Sequence, residues 1–94
     1  AAPVAQDALL LLANLATEAA DYAAAADAYA HLAAQEGHLA DRALLELGRL
    51  HVVRDDGDEA AVAYERLLER SPTGAYAVTA RAELRSLNAV EAAP

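Results

Sequence analysis

Four side chains that can bind metals lie close together in the sequence: His31, Glu36, His38 and Asp41. Imidazole nitrogens and carboxylate oxygens are suitable ligands for Zn²⁺ or Ni²⁺. Their spacing matches no closed metal site, because His31 and His38 lie on opposite sides of a turn at Gly37. A metal site is therefore the less favoured alternative. We expect solvated residues at a junction between helices, and we predict no bound metal.

The sequence contains no recognisable catalytic motif. It has no cysteine and no glycine-rich phosphate-binding loop, and of its two serines Ser71 precedes Pro72, a pair typical of a helix end. The acidic segment 55–59 is similar in composition to a calcium-binding loop, but it lacks the twelve-residue spacing and the final bidentate glutamate. We expect a turn whose acids lie at the positive end of a helix. The sequence predicts neither an enzyme nor a bound cofactor.

The charge balance disfavours nucleic acid and membrane surfaces as partners. Seven basic and fifteen acidic residues give a net charge of −8 at pH 7, which repels phosphate groups and anionic lipids. The longest apolar run near the start, residues 8–13, is far shorter than the roughly twenty residues of a membrane-spanning helix. We predict no nucleic-acid partner and no membrane insertion.

The length predicts a single domain, residues 1–94. The absence of cysteine excludes disulfides but leaves the compartment open. The chain does not begin with methionine and has Ala-Ala-Pro at both ends, so we expect a piece of a longer protein. Its high alanine content and lack of lysine favour a bacterial origin, either cytoplasmic or periplasmic.

Apolar residues recur every three or four positions in five segments, which predicts five helices. We expect these at about residues 7–18, 22–37, 39–53, 58–70 and 75–88, with Asp21 capping the second. In the fifth, Arg81, Glu83 and Arg85 are expected to face solvent. The predicted inward residues are, helix by helix, Leu9, Leu12, Leu15 and Ala16; Tyr22, Ala25, Tyr29 and Leu32; Leu44, Leu47, Leu50 and His51; Ala60, Tyr64, Leu67 and Leu68; and Tyr76, Ala80, Leu84 and Leu87.

A shift of thirty-five residues superimposes the chain on itself. The matched pairs are Leu12 with Leu47, Ala13 with Gly48, Ala25 with Ala60, Tyr29 with Tyr64 and Leu32 with Leu67. Small and large residues that recur in matched positions predict helical hairpins stacked on one another. We place the first repeat at about 6–37, the second at about 41–72 and a capping helix at about 75–88.

These positions resemble the consensus of the tetratricopeptide repeat family over nearly the whole chain. The residues that carry the resemblance are Asp21, Tyr22, Ala25, Tyr29 and Leu32, and then Leu47, Gly48, His51, Ala60, Tyr64, Leu67 and Pro72. The resemblance implies an all-α fold, a right-handed superhelical stack of two antiparallel helical hairpins with a C-terminal capping helix. Several features depart from the family pattern. Ala13 replaces a glycine, Gly37 replaces a proline, and Gly57 lies about two residues after the usual turn glycine. The aromatic residue of the first helix is replaced by Ala16 or His51, and the spacing is thirty-five rather than thirty-four residues. Segment 71–76 is also similar to divergent repeats of bacterial envelope proteins.

The resemblance implies that a peptide partner lies on a concave face, which the first helix of each hairpin lines. The candidate binding residues on that face are Leu10, Asn14, Thr17, Arg42, Leu45, Arg49 and Val52. The last four are three, four and seven positions apart and share one helical face. Their two guanidinium groups are suited to a carboxylate of the partner. The alternative is that both arginines only pair with Glu46, Asp41 or Glu18 on the surface.

Four consecutive leucines, Leu9 to Leu12, surround the first helix, so at least one must lie outside its hairpin core. Leu10 and Leu11 are the candidates for self-association, although singly exposed leucines are also common. A preceding repeat, a second copy of the domain or a bound helix are the alternatives for covering them. We therefore predict a protein interaction module that binds a partner segment, or alternatively a domain that forms homo-oligomers or filaments through its first helix.

Overall fold

The structure is a computed structural model that describes residues 5–37 and 39–92. This part of the chain contains five α-helices and no β-strand, so the predicted all-α class is confirmed. None of these helices is both long and apolar enough to cross a membrane. The helices are α1 (Gln6–Glu18), α2 (Tyr22–Ala34), α3 (Ala40–Val53), α4 (Gly57–Arg70) and α5 (Ala77–Ala92).

The turn between α1 and α2 has the same structure as the turn between α3 and α4. Each contains a residue in the left-handed region, Ala20 or Asp55, with φ of 59°. The next residue, Asp21 or Asp56, caps the following helix, because its carboxylate accepts a hydrogen bond from the backbone N–H three residues further on, at 3.3 or 3.4 Å. The predicted cap at Asp21 is confirmed. Asp55 holds the left-handed position that glycine usually occupies, and Gly57 instead begins α4.

Each helix packs mainly against its neighbours along the chain. Because only three residues connect α1 to α2 and α3 to α4, these pairs form antiparallel hairpins. The small residues Ala13 and Ala60 are completely buried, which allows the helices to approach closely. The largest fully buried side chains are those of Leu32, Tyr64 and Leu67, all predicted to face the core.

Gly48 marks a close approach of α3 and α4. A Cβ atom at this position would lie 2.5 Å from Cε1 and 2.8 Å from Cζ of Tyr64, whereas carbon atoms in contact are normally about 3.5–4.0 Å apart. The ring of Tyr64 therefore occupies the space that any side chain at position 48 would need.

The predicted inward face of the first helix is partly wrong. Leu9 packs against the core, but Leu12 and Leu15 are 56% and 54% exposed. Their repeat equivalents in α3, Leu47 and Leu50, are buried. The difference arises because α3 lies between α2 and α4, whereas α1 packs mainly against α2 alone.

Helix α5 covers α4 at the C-terminal end of the described chain. Ala80 is buried, and Leu84 and Leu87 pack against the core as predicted. Arg81 donates a hydrogen bond to the carbonyl oxygen of Pro72. The prediction that Glu83 faces solvent is wrong, because its side chain bends toward α3 and is only 32% exposed.

Gly48→Ala should destabilise the protein by about 1–3 kcal/mol, because Tyr64 must move or α3 and α4 must separate. The sign of this change in the free energy of unfolding is informative, because replacing glycine by alanine inside an ordinary helix stabilises the helix by up to about 1 kcal/mol. Gly57→Ala, at the first residue of α4, is the control and should change the free energy of unfolding by less than about 0.5 kcal/mol. Urea denaturation followed by circular dichroism measures both. An unchanged or higher stability of Gly48→Ala would contradict the close contact.

Ala20→Gly should stabilise the protein by up to about 1 kcal/mol, because glycine adopts a positive φ without the steric cost that a Cβ atom brings. Ala19→Gly is the matched control, since Ala19 has an ordinary φ of −80° and its replacement should be neutral or destabilising. The same denaturation experiment compares the two variants. If Ala20→Gly were no more stable than Ala19→Gly, the turn would hold no strain at residue 20.

Candidate functional site

A groove of about 540 Å³ opens between α3, the start of α4 and α5. We call it the α3–α5 groove. Val52, Val53 and Leu87 give it an apolar wall, and both valines are exposed. Its volume lies within the roughly 300–1,000 Å³ typical of ligand-binding clefts. The other lining residues are Arg49, Asp55, Gly57, Tyr64, Glu83 and Ser86.

Arg49 joins α3 to α5 along one side of the α3–α5 groove. Its Nε donates to Oε1 of Glu83 at 2.9 Å, and its Nη1 donates to Oε1 of Glu46 at 3.2 Å. The hydrogen bond to Glu83 is the main reason why the pKa of Arg49 is raised. The Arg49 side chain is 45% exposed, so each pair contributes at most about 1 kcal/mol to stability. The clearer effect of the two ion pairs is that two carboxylates balance the charge of Arg49.

Tyr64 lines the α3–α5 groove on the side of α4, and Glu83 stands beside it. Burial raises the pKa of the Tyr64 hydroxyl, and the negative charge of Glu83 raises it further. Oε2 of Glu83 is buried. A side-chain hydrogen bond between Tyr64 and Glu83 adds to the raised pKa of Tyr64, so the Glu83 carboxylate lies between Arg49 and Tyr64 at the edge of the groove.

A smaller groove, of about 150 Å³, occupies the equivalent place in the first hairpin. The corresponding residues of the smaller and the larger groove are Tyr29 and Tyr64, Glu46 and Glu83, and Leu50 and Leu87. Tyr22 takes the place of Gly57 in the smaller groove. Arg49 takes the place of Ser86 in the same way. These two larger side chains account for the smaller volume.

The predicted binding residues are only partly brought together. Arg49 and Val52 line the α3–α5 groove, and Thr17 and Arg49 line the smaller one. Leu10 is half-buried and packs against the core. Arg42 is half-buried and lines neither groove.

The prediction that Leu45 lies on an open face is wrong. Its side chain is 4% exposed and belongs to the hydrophobic core. Because α3 packs against helices on two sides, only a narrow strip of its surface stays accessible.

Asn14 and Thr17 make hydrogen bonds within the first hairpin. The hydroxyl of Tyr29 donates to Oδ1 of Asn14 at 2.9 Å, and the hydroxyl of Thr17 donates to the carbonyl oxygen of Ala13 at 2.8 Å. Both polar groups therefore support the hairpin itself.

The two arginines differ in their environment. Arg49 pairs with Glu46, as the surface-pairing alternative predicted, and in addition with Glu83. Asp41 pairs with Arg70 at 3.2 Å and not with Arg42. The charge of Arg49 is therefore already balanced by Glu46 and Glu83, and a carboxylate of a partner would have to compete with them.

The described residues that were considered for a metal site, His31, Glu36 and Asp41, do not come together as a metal-binding group. Nδ1 of His31 lies 2.8 Å from the carbonyl oxygen of Asp27, one helical turn away. His38 lies outside the described residues. Within residues 5–37 and 39–92, no three His, Asp or Glu side chains come together as a metal-binding group.

Comparison of the chain with protein-family models, with curated proteins and with solved structures found no match. The fold and the site define the class of this protein: an all-α protein whose consecutive helices pack on one another and leave an apolar groove open at the surface.

The free energy of unfolding should fall as the pH rises above about 10, the ordinary pKa of tyrosine. Burial raises the pKa of Tyr29 and Tyr64, so the unfolded state loses these protons first. The two tyrosines contribute fully to the free energy of unfolding at pH values below their pKa in the unfolded state. This contribution is lost as the pH rises toward their higher pKa in the folded state. All seven basic residues are arginines and cysteine is absent, so no lysine or cysteine titrates in this range.

Urea titrations between about pH 9 and 11.5 measure this effect. The double variant Tyr29→Phe/Tyr64→Phe should lose stability less steeply with pH than the unchanged protein. An equal slope for the two proteins would show that the tyrosine environments do not control alkaline stability.

Proposed function

We propose that the protein is an interaction module of the tetratricopeptide-repeat type. In this proposal two helical hairpins and a capping helix form a right-handed stack, and the α3–α5 groove binds a segment of a partner protein. The observation that carries the proposal is the groove itself, an open apolar cleft of about 540 Å³ formed by three helices. The repeated turns and the Gly48–Tyr64 contact support the repeat architecture.

The chemistry of the α3–α5 groove favours a partner segment with an apolar side chain next to a lysine or arginine. Val52, Val53 and Leu87 form the surface that an aliphatic or aromatic side chain contacts. The carboxylates of Asp55 and Glu83 line the groove beside them. The net charge of −8 attracts a basic segment over a longer range and speeds its association.

The same groove has little that would support catalysis. Arg49 and Glu83 are engaged with each other, and the raised pKa of Tyr64 keeps its hydroxyl protonated near neutral pH. We therefore propose binding without a chemical step or a cofactor.

Selection of random peptides displayed on phage, with the immobilised protein as target, tests this proposal. The selected peptides should share an aliphatic or aromatic residue adjacent to lysine or arginine. Synthetic versions should bind with a Kd in the micromolar range, about −8 kcal/mol or weaker. Fluorescence anisotropy measures the affinity at two salt concentrations, and binding should weaken as salt screens the charges.

Matched valine variants locate the binding site. Val53→Asp should weaken binding of the selected peptides at least tenfold, because it places a charge on the apolar wall. Val62→Asp is the control, since Val62 is a similarly exposed valine on α4 that does not line the groove. Peptides whose affinity is equal for both variants, or a selection with no common sequence, would contradict the proposal.

A second candidate function, self-association through the first helix, is favoured by a separate observation. Leu11, Leu12 and Leu15 on α1 are each more than half exposed. Isolated exposed leucines are common, but a group of three on one helix is typical of an interaction surface.

A further inference from the structure

The exposed face of α1 carries a regular set of apolar residues. We call Ala8, Leu12 and Leu15, together with Ala5 directly before α1, the α1 stripe. These residues are three or four positions apart, and the three within α1 share one helical face. All four are exposed, and Leu11 beside them is 59% exposed. The α1 stripe is thus an apolar surface without a helix against it in the described part of the chain.

The same set of residues is a helix-packing surface elsewhere in this protein. Two alanines and two leucines with identical spacing extend from Ala40 to Leu50 in α3 and from Ala77 to Leu87 in α5. In α3 all four are buried, and in α5 the alanines are buried and the leucines pack against the core. Helix α3 packs on α2, and α5 packs on α4. In both places these residues are therefore covered by packed helices, by α4 in α5 and by α2 or α4 in α3.

The α1 stripe is complementary to itself when two copies pair in opposite directions. Positions 5 and 15, and positions 8 and 12, are placed symmetrically about position 10. A two-fold axis near Leu10 therefore sets Leu15 against Ala5 of the partner subunit. It also sets Leu12 against Ala8 of the partner subunit. Each large side chain meets a small one, whereas a parallel pair would set leucine against leucine and alanine against alanine.

Up to residue 89, the last side chain that the structure describes in α5, the opposite end of the helical array offers no comparable surface. The outer face of α5 carries Val78, Arg81 and Arg85, all exposed. Arg81 and Arg85 occupy the α5 positions that correspond to Leu44 and Gly48 in α3. Burying these charges against the apolar α1 stripe is unfavourable. End-to-end stacking of copies into filaments is thus disfavoured, and a closed pair is favoured.

We propose that two copies of the protein form an antiparallel dimer through the α1 stripe, with the two-fold axis near Leu10. This inference rests on the second candidate function and names the surface, the occupant and the orientation. A single pair of helices buries less area than the roughly 1,200–2,000 Å² of stable interfaces, so the dimer should dissociate at micromolar concentrations.

Sedimentation equilibrium of the 94-residue chain between about 10 μM and 1 mM tests the dimer. The mass should rise with concentration from 9.8 kDa toward twice that value. The variant Leu12→Glu/Leu15→Glu should weaken association at least tenfold without loss of helicity, because both side chains are exposed in the monomer. Val78→Glu is the control, since Val78 is an exposed apolar residue on α5, and it should associate like the unchanged protein.

Cysteine cross-linking tests the orientation, because the chain has no cysteine of its own. An equimolar mixture of Ala5→Cys and Leu15→Cys proteins, distinguished by tags of different mass, should form the mixed disulfide on oxidation. Either protein alone should cross-link poorly. In an antiparallel pair of identical variants, the two introduced cysteines lie ten residues apart along the helix axis, about 15 Å at the rise of an α-helix. This distance is too long for a disulfide.

The possible results distinguish self-association, the α1 stripe as its surface and the antiparallel orientation. A 9.8 kDa mass at every concentration would overturn both self-association and the α1 pairing, as expected if another helix covers the stripe. A dimer that survives Leu12→Glu/Leu15→Glu would leave self-association standing and overturn the α1 stripe as its surface. Efficient cross-linking of Ala5→Cys alone would overturn the antiparallel orientation.

Discussion

The contact between Gly48 and Tyr64 fixes the geometry on which the groove depends. Because residue 48 has no side chain, α3 and α4 approach until the tyrosine ring fills the space beside the glycine. The ring then lines the groove, and α5 packs against α4 beside it. From α5, Glu83 reaches Arg49 on α3 and joins the two helices across the groove. A close approach in the core thus determines the shape of a cleft at the surface.

The positions of the helices in the array decide which faces stay open. Helix α3 has neighbours on two sides, whereas α1 and α5 each have one principal neighbour. The open face of α1 presents leucines, and that of α5 presents arginines. This chemical difference separates the two surfaces that we propose for interactions. In our proposals the α1 stripe contacts a second copy, and the α3–α5 groove, two helices away, stays free for a partner segment.

The sequence predicts the helices and most of the core, because a buried helix face requires apolar residues at a period near 3.6. Periodicity does not reveal whether another helix covers a given face. Leu12 and Leu47 occupy the same repeat position, yet only Leu47 is buried. Leu45 shows the opposite error, since it lies outside the predicted stripe and is still buried.

The groove could not be predicted from the thirty-five-residue repeat. It depends on Arg49 and Glu83, which are 34 positions apart in the sequence. The start of α5 lies 20 residues after the start of α4, whereas the start of α3 lies 18 residues after the start of α2. This difference shifts the register of α5, so that Glu83 corresponds to Glu46 at a spacing of 37 residues. A search limited to one repeat length misses this correspondence, and with it the residues that α5 contributes.

We propose that this small helical protein has two separate interaction surfaces. Methyl-group NMR of its leucines and valines distinguishes the two surfaces in one experiment. Dilution from about 1 mM to 10 μM should shift the methyl signals of Leu11, Leu12 and Leu15 and leave those of Val52 and Val53 in place. A peptide selected for binding should move the valine signals and leave the α1 leucines unchanged. If both treatments shifted the same set of signals, or if neither shifted any, the account of two surfaces would be wrong.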